Sequence, residues 1–502
     1  MTELIINTKY GKVEGFVEDG VSRWYGIPYT KPPIGDLRLG RATECEPWKD
    51  VKKCTKFGGR PYQFKFKTIL GKKDDTEDCL YLNIWRKSSD EKNLPVYVWI
   101  HGGYLFCYCG HDNQFNDDVF AKEGLIYITI DYRLGPLGCF DFSIYNKEAF
   151  DSNCCLSDEI MALKWIKENI ASFGGDPNNI TINGESAGGA SVLALMSCPS
   201  AKGLFQKVIC QSGYPSGHHS PRSNKLLMDL FLEKLNIKPE EAEKIRDLDI
   251  KTLQMGSDYV LDNLWKYPGI FWPSFVYDDL LPEDCFKSLK NGSADNIKLM
   301  IGTTKNEGTF FNLMHECPKD KEEVKKMFEN NGMLDKFPAV EDFYYNKGKG
   351  GDSSPTLNFA RDYMFSIGSI EVADIISQNH QDVWMFRFDF MPPLLRLFGL
   401  KATHATDLAM IFKNSDTLCD LFYIFNRPSS TSIIYNMMHP AWVSFCKNGD
   451  PNGKHLPLNW EKYEPENRKT LLVDRTPSLV ENPEEESINL WKNTIKVSRF
   501  YV

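Results

Sequence analysis

The most constraining feature of the chain is a glycine-flanked serine between a strand-like and a helix-like segment. Residues 180–183 read as a strand, residues 184–189 carry a G-x-S-x-G motif centred on Ser186, and residues 190–196 have helical character. A strand that turns sharply into a helix holds the intervening serine in strained backbone geometry, and flanking glycines relieve the crowding. The pattern therefore predicts that Ser186 is a catalytic nucleophile, the alternative being an ordinary tight turn.

Short apolar segments recur along the chain and alternate with helical patterns. The clearest helix follows Ser157 and Asp158, which are candidate N-caps, and ends near residues 174–177. The segments that read as buried parallel strands are residues 96–100, 125–130, 180–182, 208–210, 297–301 and 383–388. The alternation predicts an α/β fold with a mostly parallel central sheet flanked by helices, and a site beyond the carboxyl ends of its strands. Residues 214–296 and 312–381 are predicted to be helical, cap-like insertions.

Length and charge restrict how the chain is organised and what it binds. Its 502 residues contain no linker, repeat or low-complexity tract, which predicts a single domain over residues 1–502. A net charge of −9 without a basic block argues against nucleic acid as a partner. No apolar run is long enough for a membrane span, and no leader or lipidation signal is seen. We expect a cytoplasmic, soluble protein without membrane association, either a monomer or a small homo-oligomer.

The cysteines do not have the spacing of a metal site. Fourteen of them are scattered along the chain, and no CxxC pair recurs at zinc spacing. We expect reduced, mostly buried thiols, no metal and no cofactor.

Further motifs cover nearly the whole chain. They occupy residues 25–29, 31–33, 77–83, 99–103, 131–136, 173–177, 202–205, 211–213 and 448–451. Together with the serine motif they resemble the type-B carboxylesterase family, and within it the branch of bacterial para-nitrobenzyl esterases, which is related to animal carboxylesterases and cholinesterases. The resemblance implies an α/β-hydrolase fold and a serine esterase.

The same resemblance implies the partners of the nucleophile. His404 begins a run that is similar to the family signature of histidine, two residues, acid and leucine, and is expected to be the general base. Glu307 follows the strand at residues 297–301 and is expected to accept the His404 N–H and stabilise the imidazolium. Asp407 is the rival acid, although it is expected to orient the histidine loop instead.

A glycine pair after the strand at residues 96–100 resembles the oxyanion loop of the family. The backbone N–H groups of Gly102, Gly103 and Ala187 are expected to bind the developing negative charge. Tyr104 occupies a position where many relatives carry a third glycine. Its ring is therefore expected to narrow the acyl site or to form its wall. His101 is expected to be structural.

Other residues are assigned to the surroundings of the site. Those expected to line an apolar substrate pocket are Tyr104, Leu105, Phe106, Phe310 and Phe311, with core packing as the alternative for the first three. Those expected to support the triad are Ser212, Glu185 and Asp407. The resemblance also implies buried ion pairs between Arg133 and Asp158 and between Arg38 and Glu77, and it implies no disulfide at Cys79, whose partner position is held by Pro61.

The sequence thus predicts a serine carboxylesterase that hydrolyses uncharged, small to medium carboxylic esters through an acyl-enzyme intermediate. A small-molecule ester is the expected partner. Two alternatives remain open. The chain could be a catalytically silent binding protein with this fold, or a lipase acting on longer acyl esters, which would need an amphipathic lid.

Overall fold

The computed structural model describes residues 4–65, 75–115, 118–264, 267, 269, 271–380, 382–413, 433 and 437–495. Its contacts divide the chain into two compact units. Unit 1 comprises residues 1–208, 218–264 and 271–283, and unit 2 comprises residues 209–217, 265–270 and 284–502. The chain first passes from unit 1 to unit 2 inside the strand Lys207–Gln211.

Unit 1 is built on a mixed sheet. Its strands are β1 Ile5–Thr8, β2 Gly11–Glu14, β3 Phe16–Glu18, β4 Val21–Pro28, β5 Lys52–Lys53, β6 Arg60–Pro61, β7 Asp75–Thr76, β8 Tyr81–Lys87, β9 Leu94–Ile100, β10 Ile126–Ile130 and β11 Gly175–Glu185. Six of them lie in the order β3-β4-β8-β10-β9-β11. β9 pairs in parallel with β10 and β11, whereas β8 is antiparallel to both β10 and β4. Almost every side chain of β9 and β10 is buried, as expected for parallel strands covered on both faces.

Five α-helices accompany these strands in the described residues of unit 1. They are α1 Val119–Lys122, α2 Cys154–Asn169, α3 Ala187–Ser197, α4 Pro221–Leu235 and α5 Ile250–Asp262, with 3₁₀ turns at Gly35–Leu37, Gly135–Leu137, Ile170–Phe173, Pro199–Ala201 and Pro239–Asp247. All eleven residues of α3 are buried, because small and apolar side chains occupy every face of this helix. The helix that follows the serine motif is therefore held inside unit 1.

Unit 2 contains a second set of strands and most of the remaining helices. After β12 Lys207–Gln211 come β13 Lys298–Thr304, β14 Val383–Phe388, β15 Thr470–Val473 and β16 Ser478–Val480. β13, β14 and β15 pair in parallel, and β16 adds an antiparallel edge. The helices are α6 Cys285–Lys290, α7 Gly308–Leu313, α8 Lys321–Asn330, α9 Phe337–Val340, α10 Pro355–Arg361, α11 Ile367–Asn379, α12 Pro393–Leu397, α13 Leu408–Phe412, α14 His439–Asn448 and α15 Glu485–Thr494, with a 3₁₀ turn at Leu334–Lys336 and π-helical segments at Glu341–Asn346 and Asp362–Ser366.

The predicted strands are all found, with bounds that agree to within a few residues, except that β11 starts earlier. The antiparallel strands were not predicted, and they make the sheet mixed. The sequence does not reveal these strands because their polar and apolar residues follow no clear period, and because their pairing depends on partners distant in the chain. The segments at residues 214–296 and 312–381 contain helices, as predicted.

The predicted start of the long helix is wrong. α2 begins at Cys154, so Ser157 and Asp158 lie inside it. Their side chains serve tertiary contacts instead of capping. Asp158 accepts from the guanidinium and the N–H of Arg133, at 2.6–3.1 Å, and the Ser157 hydroxyl accepts from the N–H of Ala42. A capping residue and an ion-pair partner look alike in a sequence.

The ion pairs implied by the resemblance are present. Arg133 and Asp158 are 2.6 Å apart and almost fully buried, and Arg38 contacts Glu77 at 2.7 Å. Such pairs hold loops in register more than they add net stability. The thirteen cysteines that lie in the described part of the chain, Cys79 among them, are unbridged. None of the described helices is long and apolar enough to cross a membrane.

A buried carboxyl group in α2 predicts how stability depends on pH. Glu159 has no exposed surface, and burial raises its pKa to about 8, although a hydrogen bond from Ser191 opposes the shift. The unfolded chain loses this proton near its ordinary pKa of about 4.3. Between these pH values the unfolded state binds fewer protons than the folded state, so the contribution to stability falls as pH rises. Glu159→Gln removes this loss.

At each pH the quantity of interest is the melting temperature of Glu159→Gln minus that of wild type. We expect this difference to be greater at about pH 9 than at about pH 6, by roughly 2–4 °C or more. Thermal unfolding followed by circular dichroism measures the difference. The matched control is Glu168→Gln, which changes a half-exposed acid of the same helix. If the two variants responded equally to pH, Glu159 would be ionised in the folded protein.

Candidate active site

Ser186 stands where β11 turns into α3. Its φ of 58° and ψ of −119° lie in a region that side-chain-bearing residues rarely adopt, and it is only 7% exposed. β11 ends at Glu185 and α3 begins at Ala187, so the turn has no other residue in it. The strand, turn and helix predicted from the sequence are therefore confirmed, together with the strain.

The glycines of the motif are required by close backbone approaches. A Cβ atom on Gly184 would lie 2.1 Å from the carbonyl oxygen of Gly188, and a Cβ on Gly188 would lie 2.1 Å from the carbonyl oxygen of Ile100. Neither obstacle is a side chain that could rotate away. The start of α3 consequently packs directly on the end of β9.

Gly188→Ala is expected to lower the free energy of unfolding by about 3 kcal/mol or more, because the new methyl group pushes α3 away from β9. Urea unfolding measures the loss, and turnover should fall with it. Gly40→Ala is the matched control, since its added Cβ would meet no atom closer than 3.4 Å. Wild-type stability and turnover in Gly188→Ala would show that helix and strand need not lie so close.

The predicted oxyanion loop lies against Ser186. A Cβ on Gly102 would be 2.6 Å from the carbonyl oxygen of Glu185 and 3.2 Å from the Cβ of Ser186. Gly103 has a φ of 95°, which glycine alone adopts without strain. α3 begins directly after the same serine, which therefore lies at the positive end of the helix dipole. Unit 1 thus brings Gly102 and Ala187 next to the serine they were predicted to serve.

His101 and Glu185 have supporting positions around this loop. The fully buried His101 ring stacks on Tyr132 at 4.4 Å, and its Nδ1 lies 2.9 Å from the Gly102 carbonyl oxygen. Burial lowers the pKa of His101, so the ring is neutral. The Glu185 carboxylate approaches the space beside Gly102, where a Cβ would be 3.1 Å from its Oε2. Both residues shape the loop.

Tyr104 follows the glycine pair and is held in a strained backbone conformation. Its φ is 64° and that of Leu105 is 65°. The Tyr104 ring meets Trp272 edge to face at 4.9 Å, and the Lys65 ammonium lies 4.3 Å from its centroid. Leu105 and Phe106 are fully buried, and Phe106 packs on Phe140 at 5.8 Å. Core packing, the open alternative, therefore describes Leu105 and Phe106 in unit 1, and pocket lining stays a prediction for Tyr104.

Unit 2 holds the predicted acid and base in contact. Glu307 lies between β13 and α7, and its Oε2 is 2.5 Å from His404 Nδ1. Its Oε1 accepts from the Ser212 hydroxyl at 2.6 Å and from the Thr304 N–H at 2.7 Å. Glu307 has no exposed surface. The carboxylate is therefore held by three donors, one of which is the Ser212 hydroxyl.

The contact with Glu307 selects the tautomer of His404. Because the carboxylate accepts a hydrogen from Nδ1, Nε2 is the nitrogen that can accept a proton. Three phenylalanine rings surround the imidazole: Phe310 at 6.0 Å, and Phe311 and Phe365 at 4.9 Å. Phe365 was not predicted. It belongs to the π-helical segment Asp362–Ser366, a backbone feature common near functional sites but invisible to a helical period of 3.6.

Asp407 lies close to this pair but does not contact the imidazole nitrogen that Glu307 binds. It accepts from the Gln211 amide at 2.7 Å, and Gln211 in turn accepts from the Trp442 indole at 3.3 Å. Burial raises the pKa of Asp407 to about 6, against the hydrogen bond from Gln211, and the charge of Glu307 adds to the rise. The sequence reasoning missed Gln211 and Trp442. Only the position of Gln211 beside Ser212 at the end of β12 could have indicated it.

Comparisons with known proteins find similarity to carboxylesterases over nearly the whole length of the chain. A family model described as "Carboxylesterase family" matches residues 2–491. Para-nitrobenzyl esterase of Bacillus subtilis (strain 168) is 34% identical over 499 residues, which cover 97% of this chain and 98% of that one. Phenmedipham hydrolase of Pseudarthrobacter oxydans is 31% identical over 490 residues, covering 94% and 95%.

Solved structures of esterases are similar to this chain over nearly its whole length. A PNB esterase structure superposes with a TM-score of 0.83 at 31% identity, over 97% of this chain and 100% of that one. A Geobacillus stearothermophilus carboxylesterase reaches a TM-score of 0.85 at 32% identity, with the same coverage.

Proposed function

The chain belongs to the carboxylesterase family, and from that premise we propose that Ser186, His404 and Glu307 form the catalytic triad of an esterase for uncharged, small to medium esters. The family model and the para-nitrobenzyl esterase both span nearly the whole chain. The protein is thus an ester-hydrolysing carboxylesterase with the α/β-hydrolase fold. What remains to be proposed is which residues act, and on which esters.

The observation that carries the proposal is the conformation of Ser186. A φ of 58° at the only residue between β11 and α3, with Gly102 against its Cβ, is a costly conformation, and strain of this kind clusters at active sites. The buried pair of Glu307 and His404 supports the same assignment, because it leaves Nε2 of the imidazole as the basic nitrogen.

In the proposed reaction the Ser186 hydroxyl oxygen attacks the ester carbonyl carbon while His404 Nε2 takes its proton. Glu307 stabilises the imidazolium, and the N–H groups of Gly102, Gly103 and Ala187 bind the oxyanion. The alcohol leaves with the proton from His404. A water molecule, deprotonated by His404, then attacks the acyl carbon and releases the acid.

The substrate class is proposed from the side chains nearest to these groups. Phe310, Phe311 and Phe365 surround His404 in unit 2, and Tyr104 follows the oxyanion loop in unit 1. Aromatic and aliphatic surroundings favour uncharged groups, because burying a charge there is costly. Para-nitrobenzyl esterase, a relative, is named for an ester of a benzylic alcohol, which makes esters with a nitroaromatic leaving group suitable probes.

The experiment is a series of para-nitrophenyl esters, from acetate through butyrate and octanoate to laurate, measured with purified full-length protein below and above the solubility limit of each ester. We expect the highest kcat/KM for acetate or butyrate, and no rise in rate when an emulsion forms. Preference for emulsified laurate would establish the lipase alternative instead. Absence of turnover on every ester would favour the silent binding protein.

Tyr104 is expected to limit the length of the acyl group. Tyr104→Gly should raise the ratio of kcat/KM for octanoate to that for butyrate by about 10-fold, because it removes the ring and relieves the backbone strain at φ 64°. Tyr104→Phe is the control, since it keeps the ring and should leave the ratio unchanged. An unchanged ratio in both variants would place the acyl chain elsewhere.

Two further proposals concern the whole chain. We propose that residues 1–502 form one α/β-hydrolase domain, which is supported by a family model that spans both compact units. We also propose that the protein works in the cytoplasm, since a reducing compartment suits the unbridged cysteines of the described residues.

A further inference from the structure

A cysteine, a histidine and an aspartate converge in unit 1 at the end of β10. One ligand-capable atom from each of Cys109, His111 and Asp131 lies within 4.8 Å of the other two. The His111 Nδ1 and Asp131 Oδ2 atoms are already 3.2 Å apart. Four protein ligands of tetrahedral zinc, about 2.0–2.3 Å from the metal, lie about 3.3–3.8 Å from one another. Small side-chain shifts would therefore bring the three atoms to coordination distance.

The backbone around these residues is already ordered for this arrangement. The Gly110 N–H donates to Asp131 Oδ1 at 2.6 Å, and the Cys109 N–H donates to Asp112 at 3.0 Å. Gly110 lies so close to β10 that a Cβ on it would be 2.9 Å from the Ile130 carbonyl oxygen. These contacts hold Cys109 and His111 beside the carboxylate that follows the strand.

The surroundings of His111 and Asp131 also suit a metal. The His111 ring stacks on Phe57, with centroids 4.8 Å apart and planes at 11°, so its orientation is fixed. The Asp131 carboxylate is fully buried, whereas 11% of the His111 side chain is exposed and offers an entry path. Ordered ligands of this kind bind metal more tightly than mobile ones because less conformational entropy is lost.

The charges near the cluster leave room for a cation. Arg60 lies beside Cys109 and contacts Asp75 at 3.1 Å and Asp112 at 3.2 Å, so its charge is offset by those two carboxylates. Asp131 is the third carboxylate of this neighbourhood. A divalent cation bound to it would also be neutralised in part by the Cys109 thiolate, which makes the site suitable for a metal despite the guanidinium.

We propose that Cys109, His111 and Asp131 bind one zinc ion, which clamps the segment following the oxyanion loop onto the end of β10. A thiolate, an imidazole and a carboxylate together select zinc over magnesium, calcium or manganese. On binding, the Cys109 thiol releases its proton to water, His111 coordinates through Nδ1 with its proton on Nε2, and a water fills the fourth position. No oxidation state changes.

The clamp would act on the loop that carries two of the proposed oxyanion donors, Gly102 and Gly103. The Phe106 and Cys107 N–H groups both donate to the Gly103 carbonyl oxygen, so hydrogen bonds connect the segment from Gly103 to Cys107, which ends two residues before Cys109. Tying Cys109 and His111 to Asp131 would stabilise this connection. Because zinc would bind only the folded chain, it should raise the melting temperature in a concentration-dependent way.

The test uses full-length protein freed of metal by dialysis against a chelator, and zinc chloride titrated in competition with a chromophoric chelator. We expect one zinc ion per chain. Cys109→Ser and His111→Ala should each weaken binding by at least about 100-fold, since even a residue that only orients a ligand contributes 10–100-fold. Cys45→Ser, which alters a half-buried thiol that contacts Thr30, and His455→Ala should bind zinc like wild type.

Cobalt substitution guards against variants that merely misfold. Wild-type protein and the Cys45→Ser control should show a thiolate-to-cobalt charge-transfer band in the near ultraviolet, which Cys109→Ser should lack while retaining its circular dichroism spectrum. Zinc binding below one ion per chain in wild type, or equally tight binding by Cys109→Ser, would overturn the proposal. Binding is measured without ester turnover, so its failure would leave the proposed triad untouched.

Discussion

Ser186→Ala is expected to lower kcat for para-nitrophenyl butyrate by about three or more orders of magnitude. The substitution removes the oxygen that attacks the carbonyl and leaves the backbone of the turn between β11 and α3 in place. The remaining activity would come from the oxyanion donors and from substrate binding alone. Steady-state rates at neutral pH measure the loss, and a rapid-quench experiment with mass spectrometry should find an acyl group on wild-type Ser186 but on no residue of the variant.

The matched control for this variant is Ser197→Ala. Ser197 is a buried serine at the other end of α3, and its hydroxyl donates to the Leu193 carbonyl oxygen at 3.1 Å. It should retain nearly full turnover. Comparable activity in wild type and Ser186→Ala would exclude Ser186 as the nucleophile. If wild type and Ser186→Ala were equally inactive, the binding-protein alternative would be favoured. Tyr104 would then be the first residue to substitute.

Glu307→Gln is expected to lower kcat by about 10³–10⁴-fold while leaving KM nearly unchanged. The carboxylate accepts a hydrogen from His404 Nδ1, whereas an amide placed there can donate one. Donation would move the imidazole proton to Nε2, the nitrogen that must accept the proton of the serine. The loss would therefore come from the wrong tautomer, in a site that still binds the ester.

The control for Glu307→Gln is Glu159→Gln, the same change at another fully buried carboxyl group. Burial raises the pKa of Glu159 to about 8, so at neutral pH it is protonated, and an amide resembles it closely. It should keep nearly full turnover at neutral pH. If Asp407→Asn abolished turnover and Glu307→Gln did not, the rival carboxylate would be the acid that supports His404.

Local patterns were enough to predict the strand, turn and helix around Ser186. The change from strand to helix around Ser186, and the glycines beside it, reflect contacts between residues close in the chain, such as the carbonyl of Gly188 against Gly184. The residue at which a helix begins was less predictable. Ser157 and Asp158 have the composition of an N-cap, but their side chains bind Ala42 and Arg133 more than twenty residues away. No local rule reports which of two competing partners a polar side chain will choose.

The sequence by itself determined the α/β class, and it predicted the position of the proposed nucleophile and, through its resemblance to a family, the proposed roles of His404 and Glu307. Only the tertiary structure decided that Glu307 rather than Asp407 contacts Nδ1 of His404, that Gln211 binds Asp407, and that Phe365 lies against the imidazole. It also brought Asp131 to Cys109 and His111, although their spacing suggested no metal site. The physical reason is the same throughout. Periodicity and turn chemistry act between neighbours in the chain, whereas a hydrogen bond or a coordination site depends on distances between atoms that packing alone brings together.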